Sequence, residues 1–265
     1  MIVTNLTDKQ WQQYEADGYL FLGRQFDPEK LAEMQSEMDR IMLGEADVPY
    51  DKMLMQLDSS TGDYGDLASQ SNGFKGATLN YRKIEDLELD PVFLRYLQKS
   101  LYVDICNRAY GRDIPIDCFR AMFMNKPAGA GTLLPWHQDR WSELNTDPLI
   151  TIWLALDPAT IDNGCVQIIP GSHKWGIINP DHQSAFLTEA QAEERTRDQK
   201  ILNVELDAGE AVLLHNWTLH RSDTNHTNKP RRAFSVCYMD SRTKRTDDSD
   251  YVFRRVLGNG ALTAE

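Results

Sequence analysis

Five short runs rich in β-branched and aromatic residues dominate this 265-residue chain from Ile114 onward. Turn sequences such as Asp162-Asn163-Gly164 and Pro170-Gly171-Ser172 separate the runs, and helices do not alternate with them. Strands that follow one another in this way favour a sandwich or barrel over a doubly wound parallel sheet. We therefore predict a mainly β fold with flanking helices, and with strands at residues 118–124, 149–156, 165–169, 211–214 and 233–239.

Helical signals are concentrated before residue 112. Thr7 and Gln10 form a capping box before a helix over 8–17, which Gly18 ends. A second helix begins at Pro28 and ends at Gly44, and a third helical region extends from Pro91 to Gly111. The sequence thus predicts one decorated domain over 1–265, with a mostly helical part at 1–112 and a metal-binding β core at 113–242.

Two segments are candidates for a lid over a binding site. Residues 45–75 are rich in Gly, Ser, Asp and Met and have no sustained periodicity, which in a compact domain is typical of a functional loop. Residues 188–200 form a polar helical insertion among the strands.

Charge and composition exclude several classes of partner. The net charge of −12 disfavours nucleic acid and anionic membrane surfaces, and no local basic patch is evident in the sequence. The chain has no apolar run long enough to cross a membrane, and its start lacks a secretory signal. Its four cysteines are scattered singly in apolar stretches, so we expect reduced thiols and a cytoplasmic location.

Two histidines and one aspartate have the spacing of a metal site. His137 and Asp139 are two residues apart, so on an extended strand both side chains leave the same face. His220 lies in another β-like stretch and supplies a second imidazole. Two histidines and a carboxylate are the facial triad of non-haem Fe(II) oxygenases, which leaves positions open for substrate and oxygen.

Arg231 comes eleven residues after His220, at the start of a strand. A guanidinium pairs bidentately with a carboxylate, so an iron with open positions beside a fixed arginine indicates 2-oxoglutarate as cosubstrate. Arg231 shares a strand face with small residues, whereas Arg232 shares one with Phe234. Ser222 shares a face with His220 and is positioned to assist the same carboxylate.

These residues occur in an ordered series of motifs that resembles the phytanoyl-CoA dioxygenase family. The series is Trp136-His137-Gln138-Asp139, Trp153-Leu154-Ala155-Leu156, Asn163-Gly164, Pro170-Gly171-Ser172-His173, then His220-Arg221-Ser222 with Asn225 and Arg231. The resemblance covers most of the chain, including the stretch Asp17-Gly18-Tyr19 near the start.

The resemblance implies a double-stranded β-helix, or cupin-like jelly roll, with Fe(II) held by His137, Asp139 and His220. It also implies 2-oxoglutarate on Arg231, with Ser222, Trp153 and Gln138 as further cosubstrate contacts. Halogenating relatives have a small residue in place of the aspartate, so the presence of Asp139 implies hydroxylation.

Other side chains have competing interpretations. His173 is the rival third ligand, although a histidine after a turn more often bonds backbone carbonyls, and His182, His215 and His226 are expected to be structural. Arg82 and Lys83 either reach an anionic substrate or, as we expect, simply solvate the surface. Most tryptophans near the motifs are expected to pack, while one or two form a wall for a cationic substrate: Trp136, Trp141, Trp175 and Trp217.

The expected activity is hydroxylation of an unactivated C–H bond by Fe(II), O2 and 2-oxoglutarate, with release of succinate and CO2. The expected substrate is a small metabolite, preferably with an amine or quaternary ammonium group, because the acidic chain disfavours bulky polyanions. The alternatives are a non-catalytic or differently metallated jelly-roll binding protein, an acyl-CoA hydroxylase, or an oxygenase that uses no 2-oxoglutarate. The sequence leaves the oligomeric state open.

Overall fold

Thirteen strands form two antiparallel sheets in the computed structural model, which describes residues 4–129, 131–182 and 185–264. The larger sheet has the strand order β1-β10-β7-β12-β5-β4-β2-β3, and β13 also pairs with β5. The smaller sheet has the order β6-β11-β8-β9. The strands are β1 Tyr19–Arg24, β2 Leu54–Leu57, β3 Ser71–Asn72, β4 Tyr81–Ile84, β5 Ile116–Lys126, β6 Leu134–His137, β7 Ile150–Ala155, β8 Val166–Ile168, β9 Leu202–Val204, β10 Glu210–His215, β11 His220–Ser222, β12 Arg231–Asp240 and β13 Arg254–Leu257.

The larger sheet is covered on both faces, so its central strand β7 is buried along its whole length. Ile152 and Leu154 face a core shared with the helices, while Trp153 and Ala155 face the smaller sheet and pack near Ile168. This alternation is the pattern of a strand between two apolar layers. The result is the predicted jelly-roll sandwich, and all five predicted strands are present within two residues of their expected ends.

The helices before residue 112 pack on the outer face of the larger sheet, and their ends follow the predicted caps. The helix after residue 188 instead packs through Ala192 near Trp136 and Leu219 of the smaller sheet's cluster. The helices are α1 Asp8–Asp17, α2 Pro28–Leu43, α3 Pro91–Leu97, α4 Ser100–Tyr110 and α5 Glu189–Thr196. The region expected to be helical from 91 to 111 is two helices, because Lys99 is extended and bonds the carbonyl of Gln25. None of the helices within the described ranges has the length and apolar character needed to cross a membrane.

The N-terminal part is less helical than the sequence indicates. Its strands β1 to β4 join the larger sheet, with β1 beside β10 and β4 beside β5. Segment 45–75 contains β2, β3 and a 3-10 turn at Tyr64–Asp66 instead of lacking regular structure. The predicted domain's two ends, residues 1–3 and 265, lie outside the described residues.

Candidate active site

The three predicted metal-binding side chains converge at one end of the smaller sheet. His137 at the end of β6 is the cross-strand partner of His220 on β11, and Asp139 follows β6. Asp139 carboxylate oxygens lie 3.9 Å from Nε2 of each histidine. One ligand atom from each residue falls within 4.8 Å of the others, so a single metal ion fits among them.

Both histidines are held in the tautomer that a metal needs. Nδ1 of His137 lies 2.8 Å from the carbonyl oxygen of Pro135, and Nδ1 of His220 lies 2.8 Å from that of Thr218. A carbonyl accepts only, so Nδ1 carries the proton and Nε2 keeps its lone pair for a metal. Burial, followed by the charge of His220, lowers the pKa of His137 to about 3, which favours the neutral ligand form.

A buried asparagine fixes the loop that carries Asp139. The amide N–H of Asp139 donates to the carbonyl of Asn216 at 2.7 Å, and the Asn216 N–H donates to that of Leu149 at 3.0 Å. The side chain of Asn216 donates to the carbonyl of Pro148 and to Sγ of Cys237. Sequence reasoning missed Asn216, which has no motif of its own.

Arg231, on β12 of the larger sheet, lines the cavity that His137 of the triad also lines. Its side chain is buried, and Nε and Nη1 have no hydrogen-bond partner. Burial lowers the pKa of Arg231 to about 10. A buried guanidinium with unpaired donors is costly unless an anion binds to it, so the site fits the carboxylate of 2-oxoglutarate. Arg232 faces away and bonds Asp157, as strand parity predicted.

Two of the three other predicted cosubstrate contacts lie near Arg231. Ser222 lines the cavity, and the ring of Trp153 lies 5.4 Å from the Arg231 guanidinium carbon, with its indole N–H buried and unpaired. Gln138 is turned away from the cavity. Its amide donates to the carbonyls of Gly176 and Trp217, and its oxygen accepts from the N–H of Ile178. Gln138 therefore has no free group for a cosubstrate, because it anchors backbone on the opposite face of the strand.

A row of alternate residues on β5 forms one wall of the cavity. Arg120, Met122, Met124 and Lys126 all line the cavity, since residues two apart share a strand face. Lys126 is buried directly opposite Arg231 in the strand register, and its Nζ donates to the carbonyl of Thr132 at 2.5 Å. No basic patch is evident in the sequence because these basic residues are separated by other residues along the strand.

The expectation that Arg82 and Lys83 solvate the surface is wrong. Both line the cavity from β4, next to β5, and burial is the main cause that lowers their pKa values, to about 8 for Lys83. Their positions follow from the pairing of β4 with β5, which the sequence did not predict.

The remaining histidines lie outside the triad. Nε2 of His173 lies 3.1 Å from the carbonyl oxygen of Glu15 on α1, as expected for a structural residue. His215 accepts from the N–H of Trp217, and His226 bonds Thr224. His182 packs beside Phe186.

The tryptophans do not form a wall for a cationic substrate. Protein arginines already lie over two of the rings, with Arg120 over Trp141 at 5.5 Å and Arg221 over Trp136 at 5.1 Å. The indole of Trp217 donates to Asp147, and Trp175 is partly exposed outside the cavity lining.

Two segments meet over the cavity through aromatic rings. Phe186 stacks on His137 with 4.6 Å between ring centroids, and Tyr64 contacts Phe186 at 5.6 Å. Tyr64 belongs to segment 45–75, so one predicted lid candidate does reach the cavity. The helix α5 of the other candidate contributes no lining residue; Phe186 lies just before it.

A model of the phytanoyl-CoA dioxygenase (PhyH) family matches residues 14–233. The chain belongs to this family. The resemblance seen in the sequence is thus confirmed.

Curated relatives extend the match along nearly the whole chain. Phytanoyl-CoA dioxygenase 1 of Oryza sativa subsp. japonica is 27% identical over 275 residues, which cover 95% of each chain. Phytanoyl-CoA dioxygenase domain-containing protein 1 of Bos taurus is 27% identical over 271 residues, covering 89% of this chain and 91% of that one.

Solved structures share the fold at lower identity. EctD from S. alaskensis, crystallised with 2-oxoglutarate and 5-hydroxyectoine, has a TM-score of 0.72 and 18% identity, covering 98% of this chain and 86% of that one. The α-ketoglutarate-dependent carbocyclase SnoK has a TM-score of 0.67 and 19% identity, covering 91% of this chain and 87% of that one. This phytanoyl-CoA dioxygenase family member is an Fe(II)- and 2-oxoglutarate-dependent dioxygenase, as its family and its His-Asp-His site indicate.

Proposed function

We propose that this chain hydroxylates a small molecule, with His137, Asp139 and His220 as the Fe(II) ligands and Arg231 as the cosubstrate anchor. The single observation that carries the proposal is the convergence of the three ligand atoms within 4.8 Å beside a buried arginine with unpaired donors. Iron bound there supplies the activation of O2 and the oxidation of 2-oxoglutarate.

The two ends of 2-oxoglutarate are bound by different residues of the cavity. Arg231 holds the far carboxylate of 2-oxoglutarate by charge-assisted hydrogen bonds, and Ser222 and Lys126 supply further donors beside it. The indole N–H of Trp153 is a further donor for the carboxylate on Arg231, because it is buried without a partner. The keto acid's other end faces the triad.

The overall reaction consumes the substrate C–H, 2-oxoglutarate and O2, and forms C–OH, succinate and CO2. The protein's own part is to position the two organic molecules and to exclude water. Phe186 and Tyr64 cover the cavity and keep His137 out of solvent. The cavity of about 310 Å3 fits a small substrate.

A cytoplasmic location belongs to the same proposal. The support is that Cys106, Cys118, Cys165 and Cys237 are all buried free thiols. Disulfides are rare in the reducing cytosol, and free buried thiols are common there.

The test is the formation of succinate from 2-oxoglutarate by the Fe(II)-loaded protein. His137→Ala and Asp139→Ala should abolish it while leaving the circular dichroism spectrum unchanged. His173→Ala is the matched control and should retain wild-type turnover. Full activity in either triad variant would refute the ligand assignment.

A further inference from the structure

The active-site cavity is cationic although the chain as a whole carries a charge of −12. Five basic side chains and one carboxylate line it among the residues that the structure describes. A surplus of one sign inside a partly closed cleft raises the local concentration of oppositely charged ligands. The bases are Arg82, Lys83, Arg120, Lys126 and Arg231, and the acid is Glu143.

Protein groups and the cosubstrate account for four of these bases. Arg231 and Lys126 lie at the proposed cosubstrate end, and burial lowers the pKa of Lys126 to about 6, so its amine is mostly neutral at pH 7 and adds little charge. Lys83 and Arg120 share one buried carboxylate, Glu85, whose Oε2 lies 3.2 Å from Nε of Arg120 and whose Oε1 contacts Nζ of Lys83. Two cations on one carboxylate still leave positive charge on the wall.

Arg82 has only neutral contacts. Its Nη1 donates to Oε1 of Gln56 at 3.0 Å, and its guanidinium carbon lies 5.4 Å from the ring centroid of Tyr64. No carboxylate within the described ranges forms an ion pair with it. The charge of the nearby acid Asp58 acts on Arg82 without an ion pair between them, and Oδ1 of Asp58 accepts from the hydroxyl of Thr132. The Arg82 guanidinium therefore lines the cavity without a paired anion, and its planar set of donors can bind an anionic ligand.

The rest of the cavity surface suits a short carbon skeleton. Met122, Met124, Leu134, Trp141 and Phe186 line it, and methionines adapt their shape to irregular ligands. The volume of about 310 Å3 is at the low end of the usual range of about 300–1,000 Å3, and 2-oxoglutarate takes part of it. One unpaired cation matches a single negative charge better than a phosphate group, which carries close to two.

We propose, resting on the function proposed above, that the primary substrate is a small carboxylate whose anionic group binds Arg82. This corrects the expectation of an amine or quaternary ammonium substrate, because the cavity wall presents cations and the aromatic faces that attract cations are occupied by arginines. A free carboxylate can bind Arg82 through its charge. An acyl-CoA thioester cannot do so through the same group, because that carboxyl group is bonded to sulfur and is uncharged.

The test compares probes of equal chain length that differ only in the head group: straight-chain carboxylates, their primary amides, alkylamines and acyl-CoA thioesters. The readout is succinate formation above the substrate-free rate. In the wild type, carboxylates should stimulate turnover at concentrations roughly tenfold or more below the amides, as expected for a lost charged hydrogen bond. Arg82→Gln should remove that preference and leave the half-saturating 2-oxoglutarate concentration unchanged.

Arg221→Gln is the matched control, because Arg221 lies over Trp136 and bonds Gln167 outside the cavity lining. It should behave as the wild type does. The proposal is overturned if no carboxylate stimulates turnover, if amides, amines or thioesters do so equally well or better, or if Arg82→Gln changes only the response to 2-oxoglutarate. If the wild type formed no succinate from 2-oxoglutarate in the absence of substrate, that result would instead refute the proposed function itself.

Discussion

Arg231 and Arg232 are adjacent in sequence and lie in opposite environments. Arg231 is buried with unpaired donors in the cavity, whereas Arg232 bonds Asp157 and Asp39 outside it. Arg231→Lys keeps the charge and loses the fork, which should weaken 2-oxoglutarate binding by about 1.5–3 kcal/mol, or roughly 10- to 150-fold. Arg232→Lys is the control. Equal effects of the two variants on the half-saturating 2-oxoglutarate concentration would contradict the anchor assignment.

Lys126 makes the free energy of unfolding of the protein depend on pH. Burial, followed by the charge of Arg231, lowers the pKa of Lys126 to about 6, against about 10.4 in an unfolded chain. Between these values the unfolded state binds the extra proton, so the free energy of unfolding rises with pH by up to about 1.4 kcal/mol per unit. The destabilising contribution is complete below pH 6 and is lost toward pH 10.

Lys126→Met removes this titration and keeps a similar volume. Urea unfolding of the protein without cosubstrate at pH 7 and pH 9 should therefore show a smaller gain with pH in the variant than in the wild type. If the two proteins gain equally, Lys126 is not held as a neutral amine.

At the scale of elements, the contact between segment 45–75 and the segment before α5 closes the cavity. Phe186 stacks on His137 and meets Tyr64 from the other segment. Phe186→Ala should open the site to water and raise the succinate formed without substrate, since water exclusion limits side reactions. Phe74→Ala is the control, because Phe74 is a partly exposed ring of segment 45–75 outside the cavity lining. Equal rates in the two variants would contradict a covering role for Phe186.

Local signals predicted the helix ends and the main strands well because caps and alternation act over a few residues. Thr7, Gln10 and Gly18 form the expected capping box and left-handed stop. The short strands β2 and β4 were missed because each has only four residues and is stabilised by pairing rather than by its own pattern. β4 pairs with distant β5, and β2 pairs in turn with β4. Once β4 is in place, Arg82 and Lys83 face the cavity.

For the whole molecule, the ordered motifs predicted the fold and the position of the triad, but the net charge was a poor guide to the site. Most acidic residues are on the surface, whereas β4, β5 and β12 bring their cations together in one cavity. Gln138 lies inside the strongest motif, yet it faces backbone, because side chains alternate along an extended chain. Long-range pairing therefore decides which residues of a motif meet the ligand.

The most direct test of the account is the visible spectrum after anaerobic addition of Fe(II) and 2-oxoglutarate. The wild type should develop the weak charge-transfer band of a keto acid chelated to ferrous iron. Asp139→Ala and His220→Ala should lose the band, while His173→Ala should keep it. A wild type without the band that instead binds zinc in a closed four-ligand site would contradict the oxygenase assignment and favour a binding protein.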